Sequence, residues 1–454
     1  MHRTMPPAVT DIRASLCLAV MVAVMLYATI DRQVFGLVAA EMSVSLDLSN
    51  TQLGLIQGIG FALFTFLGAY PIAWFADRFD KRWVLALCVV SWALGTAACG
   101  FASGFVSLFA ASAAVAAAEA GIAPIFMSLL PELFRGQARV TATMIYYIAV
   151  SLSMASGLFL VGAMISGLNA MGPALSAFAE LENWRWAFIA AAIPFPLFMA
   201  MLFVLPKGRV ESRAGGQPAA PVAPIIPFLK SNMRSVLFVF IGMTFFALGV
   251  TGILAWTPVS LTRIFGLGPA EVGMVLGAVI AAASVVGVVA GNFVLRYLQK
   301  RLGYRAAPRI IWVTLAISVP FICFIPFVTA PWQVYVIVSI QIIASTIAGA
   351  SSVSLLQELA PAPVRARIMA IRAMTNGPAV GLGVAGAAFF GDLIDAGPHS
   401  LFWGGLAISL PAWVICIIML RLAEKPFQAT ARANSGLQHP LDRTPETAGA
   451  TTAR

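Results

Sequence analysis

Apolar residues occur along this chain in twelve long stretches that are separated by short polar segments. A stretch of about 20 apolar residues is long enough to cross the ~30 Å hydrocarbon core of a bilayer as a helix. The pattern therefore predicts twelve transmembrane helices. The stretches lie near residues 14–38, 52–75, 83–101, 105–130, 140–165, 186–205, 235–262, 270–295, 309–328, 332–355, 367–390 and 400–421.

A connector and a repeat divide the chain into halves. The segment "PKGRVESRAGGQPAAPVAPIIP" after the sixth stretch is rich in Pro, Gly and charge, as a flexible linker is. The sequence "LLPELFRGQAR" at Leu129 recurs as "LLQELAPAPVR" at Leu355, which indicates a duplicated six-helix unit. We therefore predict an all-α integral membrane protein with two six-helix bundles. The predicted boundaries are 1–13 for a cytoplasmic N-terminus, 14–205 and 235–421 for the bundles, 206–234 for a cytoplasmic linker and 422–454 for a disordered cytoplasmic tail.

Composition agrees with a bilayer environment. Of 454 residues, 60% are apolar and only 10% are charged, whereas about 25% are charged in a typical soluble domain. The first stretch is too long for a signal-peptide core and lacks a small-residue cleavage site, so we expect it to be retained. Five cysteines have neither metal-like nor paired spacing and are interpreted as packing residues. They are Cys17, Cys88, Cys99, Cys323 and Cys416.

The positions of the charges predict the orientation. Of 28 Lys and Arg residues, 25 lie at the two termini or in alternate loops, and the other three are Arg32, Arg185 and Arg263. The basic side is cytoplasmic by the positive-inside rule, which places both termini in the cytoplasm. The net charge of +10 is therefore a matter of topology and of attraction to anionic lipid, and nucleic acid is not an expected partner.

Three ionisable residues interrupt the predicted spans: Asp31 and Arg32 on the first helix and Glu119 on the fourth. Such a group costs about 2.5 to 3.5 kcal/mol on the insertion scale, so it usually faces a cavity or a partner and marks a pathway. One interpretation is a static ion-paired clamp between the two helices. A second is direct contact with a polar substrate head. We favour a third, in which these residues couple a proton to substrate movement.

The loop between the second and third spans, "AWFADRFDKRW", resembles the signature loop of the major facilitator superfamily. That pattern has a Gly, then Asp-Arg four residues on, then a Gly and two basic residues. The matching residues are Asp77, Arg78, Lys81 and Arg82, to which we add Arg139, whereas Ala73 and Asp80 stand where the family has Gly. The resemblance implies two bundles that rock about a central cavity, with this loop acting as a gate. Cysteine accessibility from both sides of the membrane in an Asp77→Asn variant tests that gating role.

Within the superfamily, "DRQVF", "LSNTQLGLIQGIGFALF", "AAEAGIAP" and "NWRWAF" are similar to bacterial spinster-like transporters, and organic-anion symporters share several of these elements. In the superfamily the first and fourth helices line the cavity. Spinster-like members often carry an Arg seven residues before the position of Glu119, where this chain has Ser112, so Glu119 has no Arg nearby in the sequence. Burial favours the protonated carboxyl and a cation favours the charged one. Glu119 is then either easily protonated or part of an uncoupled facilitator.

Other polar residues in the spans are weaker candidates for the cavity wall, because each also suits interhelical packing or an aromatic belt. They are Gln57, Tyr146, Tyr147, Trp256, Gln341 and Asn376. The C-terminal half has no clear mid-span charge, since Arg372 and Asp392 are expected near the ends of the eleventh helix. A cavity that is polar on one wall and apolar on the other suits an amphiphilic, lysolipid- or sphingoid-like substrate or a hydrophobic organic anion.

The sequence lacks the motifs of the competing classes of protein. The histidines His2, His399 and His439 lie outside the predicted spans, and no nucleophile, metal-ligand or P-loop motif occurs. An enzyme or an ATP-driven pump is therefore not expected, and a membrane receptor or scaffold remains the alternative of another class. We expect no cofactor or metal. The expected partners are a small-molecule or lipid-like substrate, protons and membrane lipid, for a monomer in the bacterial inner membrane.

Overall fold

The computed structural model describes residues 11–134, 136–171, 181–205 and 225–435. These residues form α-helices joined by short turns. The helices of the first part are α1 (Asp11–Ser45), α2 (Asn50–Gly54), α3 (Phe61–Arg78), α4 (Lys81–Gly100), α5 (Phe105–Glu119), α6 (Ile122–Leu133), α7 (Gly136–Ala170), α8 (Asn183–Ala192) and α9 (Phe195–Leu202). Those of the second part are α10 (Ile225–Ser231), α11 (Met233–Leu254), α12 (Thr257–Phe265), α13 (Pro269–Leu302), α14 (Ala306–Cys323), α15 (Pro331–Leu359), α16 (Ala362–Ile394) and α17 (Ser400–Ser435).

The helices confirm the predicted all-α membrane architecture. In the described ranges, ten helical stretches are long and apolar enough to cross a bilayer. One of them, Pro269–Phe327, holds both α13 and α14, and so counts as two of the predicted spans. A further apolar helix covers Ser156–Ala170 within α7. The described residues thus hold eleven such stretches, and α7 as a whole covers the remaining predicted span, 140–165.

Prolines explain why some predicted spans are two helices in the structure. The fourth span breaks between α5 and α6, and the seventh breaks between α11 and α12. Pro124 and Pro258 follow these breaks. Because proline has no backbone N–H, it removes the hydrogen bond to the carbonyl four residues earlier and disfavours an unbroken helix. The second span contains a different irregularity, a π-helical turn at Leu55–Gly60 between α2 and α3.

The chain groups into two compact units. The first unit consists of the described residues before 206 together with Trp256–Ala281, and its core contains a cluster of aromatic rings from α1, α4 and α9. Tyr27, Trp92 and Phe195 contact one another there, with the Trp92 and Phe195 ring centroids 4.6 Å apart. The predicted boundaries of the bundles, linker and tail stay predictions, and most of the linker lies outside the described residues.

The second unit consists of the remaining described residues, and in it α11 packs along α16 and α17. Gly249 and Gly252 allow the close approach, because a Cβ atom at Gly249 would lie 2.4 Å from Nε1 of Trp413. The last helix continues past residue 421 to Ser435. Its final turns are held in place by the buried Phe427 and by Thr430, which hydrogen-bonds Ser235 at 2.8 Å.

Asp80 occupies a position that the family pattern assigns to glycine, and the structure gives it a local role. It is the N-cap of α4, where its carboxylate accepts a hydrogen bond from the backbone N–H of Arg82 at 3.0 Å. The same carboxylate pairs with the Arg82 side chain at 3.1 Å. An acidic N-cap also suits the positive end of the helix dipole.

We expect Asp80→Ala to lower the free energy of unfolding by about 1 kcal/mol, because it removes this N-cap. Asp80→Asn is the matched control, since the amide oxygen can still cap α4 while the charge is lost. Thermal unfolding of the purified variants measures both effects. An Asp80→Ala variant that is as stable as the parent would contradict the capping role.

Candidate functional site

Asp31 is buried inside the first unit. Its side chain lies on α1, and the residue is only 7% exposed. One carboxylate oxygen, Oδ2, accepts hydrogen bonds from Nε1 of Trp92 at 2.7 Å and from the hydroxyl of Thr96 at 3.1 Å. The other oxygen, Oδ1, is buried without a hydrogen-bond partner among the described residues. One carboxylate oxygen is thus held by two donors, and the other is buried without a donor among the described residues.

Arg32 and Glu119 form an ion pair next to this carboxyl. The guanidinium of Arg32 donates to Oε1 of Glu119 at 2.9 Å, and it also stacks over the ring of Phe61 with 4.3 Å to the centroid. The Arg32 side chain is 53% exposed, whereas that of Glu119 is 15% exposed. The pair therefore joins α1, α3 and α5 while its cation stays accessible.

The pairing gives Glu119 an arginine from a distant part of the sequence, on α1, although it has no Arg nearby in the sequence. Consecutive helical residues point about 100° apart, so Asp31 faces α4 while Arg32 faces α5. Glu119 is the last residue of α5, where the helix dipole disfavours an anion, and the cation of Arg32 offsets that. Ser112 lies near Cys99, with 3.7 Å between the hydroxyl oxygen and the sulfur. In the described part of the chain, Asp31 itself has no cation within ion-pair distance.

The signature-loop residues lie together at the ends of α3 and α4. Asp77 is exposed near the end of α3, and the next residue, Arg78, stacks on Trp74 with 3.8 Å to the centroid. Lys81 pairs with Glu132 at 2.5 Å. Arg139, which is exposed on α7, accepts a hydrogen bond from Thr143 through its carbonyl oxygen. The gating role of this loop stays a prediction.

The six residues predicted for the cavity wall have different surroundings. Gln57 lies in the π-helical turn, with a buried Nε2 that has no partner among the described residues. Tyr146 and Trp256 are buried in the first unit, and the side chain of Tyr147 lies outside the described residues. In the second unit, Gln341 is buried and donates to the carbonyl of Val250 at 3.3 Å. The sixth residue, Asn376, accepts a hydrogen bond from Arg372 at 3.0 Å through its Oδ1.

Arg372 lies near the start of the eleventh span. The candidate span begins at Arg367, five residues before Arg372, although the helix α16 itself begins at Ala362. Its guanidinium donates to the carbonyl of Met243 and to Oδ1 of Asn376, both at 3.0 Å. These are neutral acceptors, and no described carboxylate pairs with it.

The "NWRWAF" segment is explained by contacts at the start of α8. Arg185 donates to the carbonyls of Gly100 and Ala102 at 3.1 and 2.7 Å, and so ties α8 to the end of α4. Glu182 precedes α8 and accepts hydrogen bonds from Ser45, Trp184 and Arg185. The bond from Ser45 is the main reason that the pKa of Glu182 is lowered.

An all-helical membrane fold with ionisable side chains held between its spans is typical of membrane transporters. The model of the Major Facilitator Superfamily matches residues 17–384. The chain belongs to the Major Facilitator Superfamily.

Relatives in other organisms agree with the spinster-like resemblance. Protein spinster homolog 3 of Danio rerio is 26% identical over 335 residues, which cover 70% of this chain and 64% of that protein. Protein spinster of Drosophila melanogaster is 25% identical over 64% of this chain and 47% of that protein. The chain thus spans less than two thirds of the length of either. A hexuronate transporter of Bacillus subtilis is 25% identical over 84% of this chain and 88% of that protein.

Solved structures share the fold. A bacterial homologue of the human lysosomal transporter Spinster superimposes with a TM-score of 0.74 at 21% identity, and the match covers 93% of this chain and 98% of that one. The nucleoside transporter NupG superimposes with a TM-score of 0.66 at 14% identity over 90% of this chain. At these identities the likeness establishes the fold alone.

Proposed function

We propose that this protein is a secondary transporter that couples protons to the movement of a small organic or amphiphilic substrate across the cytoplasmic membrane by alternating access. The observation that carries the proposal is the carboxyl of Asp31, which is buried, held by two donors on one oxygen and unpaired with any cation in the described residues. A buried carboxyl without a cation is costly to keep charged. It therefore suits a group that binds and releases a proton.

The structure supports a division of roles between the two acids. Asp31 is the proposed proton site, because its carboxyl can hold a proton without losing an ion pair. Glu119, in contrast, is paired with Arg32. The half-exposed guanidinium of Arg32, stacked on Phe61, is the proposed contact for a polar or anionic substrate head. Such a head would compete with Glu119 for the same cation.

Transport of a small organic anion is the competing function within the superfamily. The hexuronate transporter relative and two putative tartrate transporters of Agrobacterium vitis, each 27% identical over 179 residues, favour it. Arg372 also favours it, because its cation has only neutral acceptors around it. An uncoupled facilitator and a non-transporting receptor or scaffold are also compatible with this fold.

A binding screen followed by a flux assay separates these functions. Purified protein is heated with lysophosphatidylcholine, sphingosine, glucuronate or tartrate, and a compound that raises the unfolding temperature is tested for uptake into proteoliposomes under a pH gradient. Uptake of an amphiphile that is driven by the gradient supports the proposal. Uptake of glucuronate or tartrate alone supports organic-anion transport. Binding without uptake supports a receptor. Uptake at the same rate with and without the pH gradient supports a facilitator.

The proposed orientation has both termini in the cytoplasm of a bacterial inner membrane, and it rests on the uneven distribution of basic residues. We expect reporter fusions in the 206–234 linker to report the cytoplasm and fusions in the 168–183 loop to report the periplasm. The two sites control for each other, because the predicted topology places them on opposite sides of the membrane. A reversed result at either site would contradict the orientation.

A further inference from the structure

We propose that a basic groove between the start of α14 and the middle of α17 binds the phosphate of an anionic phospholipid head group. The groove encloses about 650 Å³ and lies within the second unit. Its charged lining consists of Arg305, Arg309, Arg421, Lys425 and Glu424. Four cations and one anion leave a net charge of +3, which attracts an anion at the membrane surface.

The single acid in the groove is already neutralised. Arg309 donates to both carboxylate oxygens of Glu424, at 3.0 and 2.5 Å, and Nε1 of Trp312 donates to Oε1 at 2.7 Å. Arg305 donates to the neutral amide oxygen of Gln428 at 2.7 Å. The three cations Arg305, Arg421 and Lys425 therefore have no carboxylate at ion-pair distance among the described residues.

The position of the groove favours a lipid as the source of the phosphate. Arg309 begins one predicted span and Arg421 ends another, so the groove lies where a bilayer has its head groups. Trp312 and the exposed Leu422 add apolar surface next to the cations, and Arg421 lies 5.8 Å from the Trp312 ring centroid. Tryptophan and basic residues together are typical of the cytoplasmic membrane interface. Arginine suits the phosphate because its fork of N–H groups can donate to two oxygens.

The experiment measures lipid binding by the purified full chain in nanodiscs of phosphatidylcholine, with phosphatidylglycerol as the added probe. We expect the Arg421→Gln/Lys425→Gln variant to bind phosphatidylglycerol roughly thirtyfold more weakly than the parent, equivalent to about 2 kcal/mol, since each basic residue near an anionic surface contributes about 1 kcal/mol. The matched control is Arg296→Gln/Lys300→Gln, which removes two exposed cations of α13 outside the groove. Arg305→Gln is a second variant, in case the double variant does not fold.

The possible outcomes distinguish a lipid head group from free phosphate and from a diffuse attraction to the membrane surface. Selective binding of phosphatidylglycerol that the groove variants lose and the control keeps supports the proposal. If inorganic phosphate binds the parent as tightly as phosphatidylglycerol does, the groove is a free-anion site and the lipid assignment is overturned. Equal losses in the groove variants and the control would show a diffuse surface attraction and overturn the groove. None of these outcomes depends on which substrate is transported, so the proposal fails or stands separately from the proposed function.

Discussion

Asp31→Asn is expected to abolish proton-driven transport while leaving substrate exchange measurable. The amide cannot take up and release a proton, but its carbonyl oxygen can still accept the hydrogen bonds that Trp92 and Thr96 donate to Oδ2. Exchange moves substrate in both directions and needs no net proton movement. Uptake under an imposed pH gradient and counterflow in its absence, measured in the same proteoliposomes, separate the two activities.

Two sets of controls keep this prediction specific. Trp92→Phe and Thr96→Val each remove one donor and keep the carboxyl, so both variants should retain proton-driven uptake with a changed pH profile. Glu182→Gln removes an acid outside the spans and should change neither activity. If Asp31→Asn transports with the pH dependence of the parent, Asp31 is not the proton site. If the parent shows no pH dependence, the protein is a facilitator.

The Arg32–Glu119 pair yields the second prediction. We expect Arg32→Gln and Glu119→Gln each to impair transport severely, and the exchanged pair Arg32→Glu/Glu119→Arg to recover stability without recovering transport. The attraction between the charges is the same in both arrangements, whereas the accessible, ring-stacked cation of Arg32 is lost on exchange. Because Arg32 is half exposed, the coupling free energy between the two side chains should be only about 1 kcal/mol.

Thermal unfolding of the parent, the two single variants and the Arg32→Gln/Glu119→Gln double variant completes a double-mutant cycle, and the exchanged variant is measured beside them for stability and uptake. Glu182→Gln is the matched control, because it removes the acid of another ion pair of the first unit, the one with Arg185. That variant should transport normally. Parental uptake by the exchanged variant would show that the Arg32–Glu119 pair is a static clamp between the two helices.

The sequence was sufficient to locate the charged residues of the site but not their partners. Asp31, Arg32 and Glu119 stand out because ionisable groups are rare in apolar stretches. The ion pair between Arg32 and Glu119 depends on which faces of α1 and α5 meet, and charge spacing along one helix does not determine that. The predicted spans, in contrast, follow from local hydrophobicity and agree with the helices.

Trp92 and Thr96 illustrate what the sequence left unnoticed. A tryptophan and a threonine are common in transmembrane segments, so neither attracts attention alone. Their spacing of four residues does place them on one face of α4, and that face meets the Asp31 carboxyl.

The π-helical turn at Leu55–Gly60 accommodates one residue more than an α-helix would need between the same two points. On one side of the turn, Asn50 accepts a hydrogen bond from Arg263 at 2.6 Å, and on the other, Phe61 receives the guanidinium of Arg32. Deleting one residue between them would let the turn relax to an α-helix and keep both contacts close to their present faces, because a π-turn accommodates one extra residue within an otherwise α-helical path. In alignments with related transporters, a one-residue gap at this place is therefore compatible with an unchanged register of the helix on either side of it.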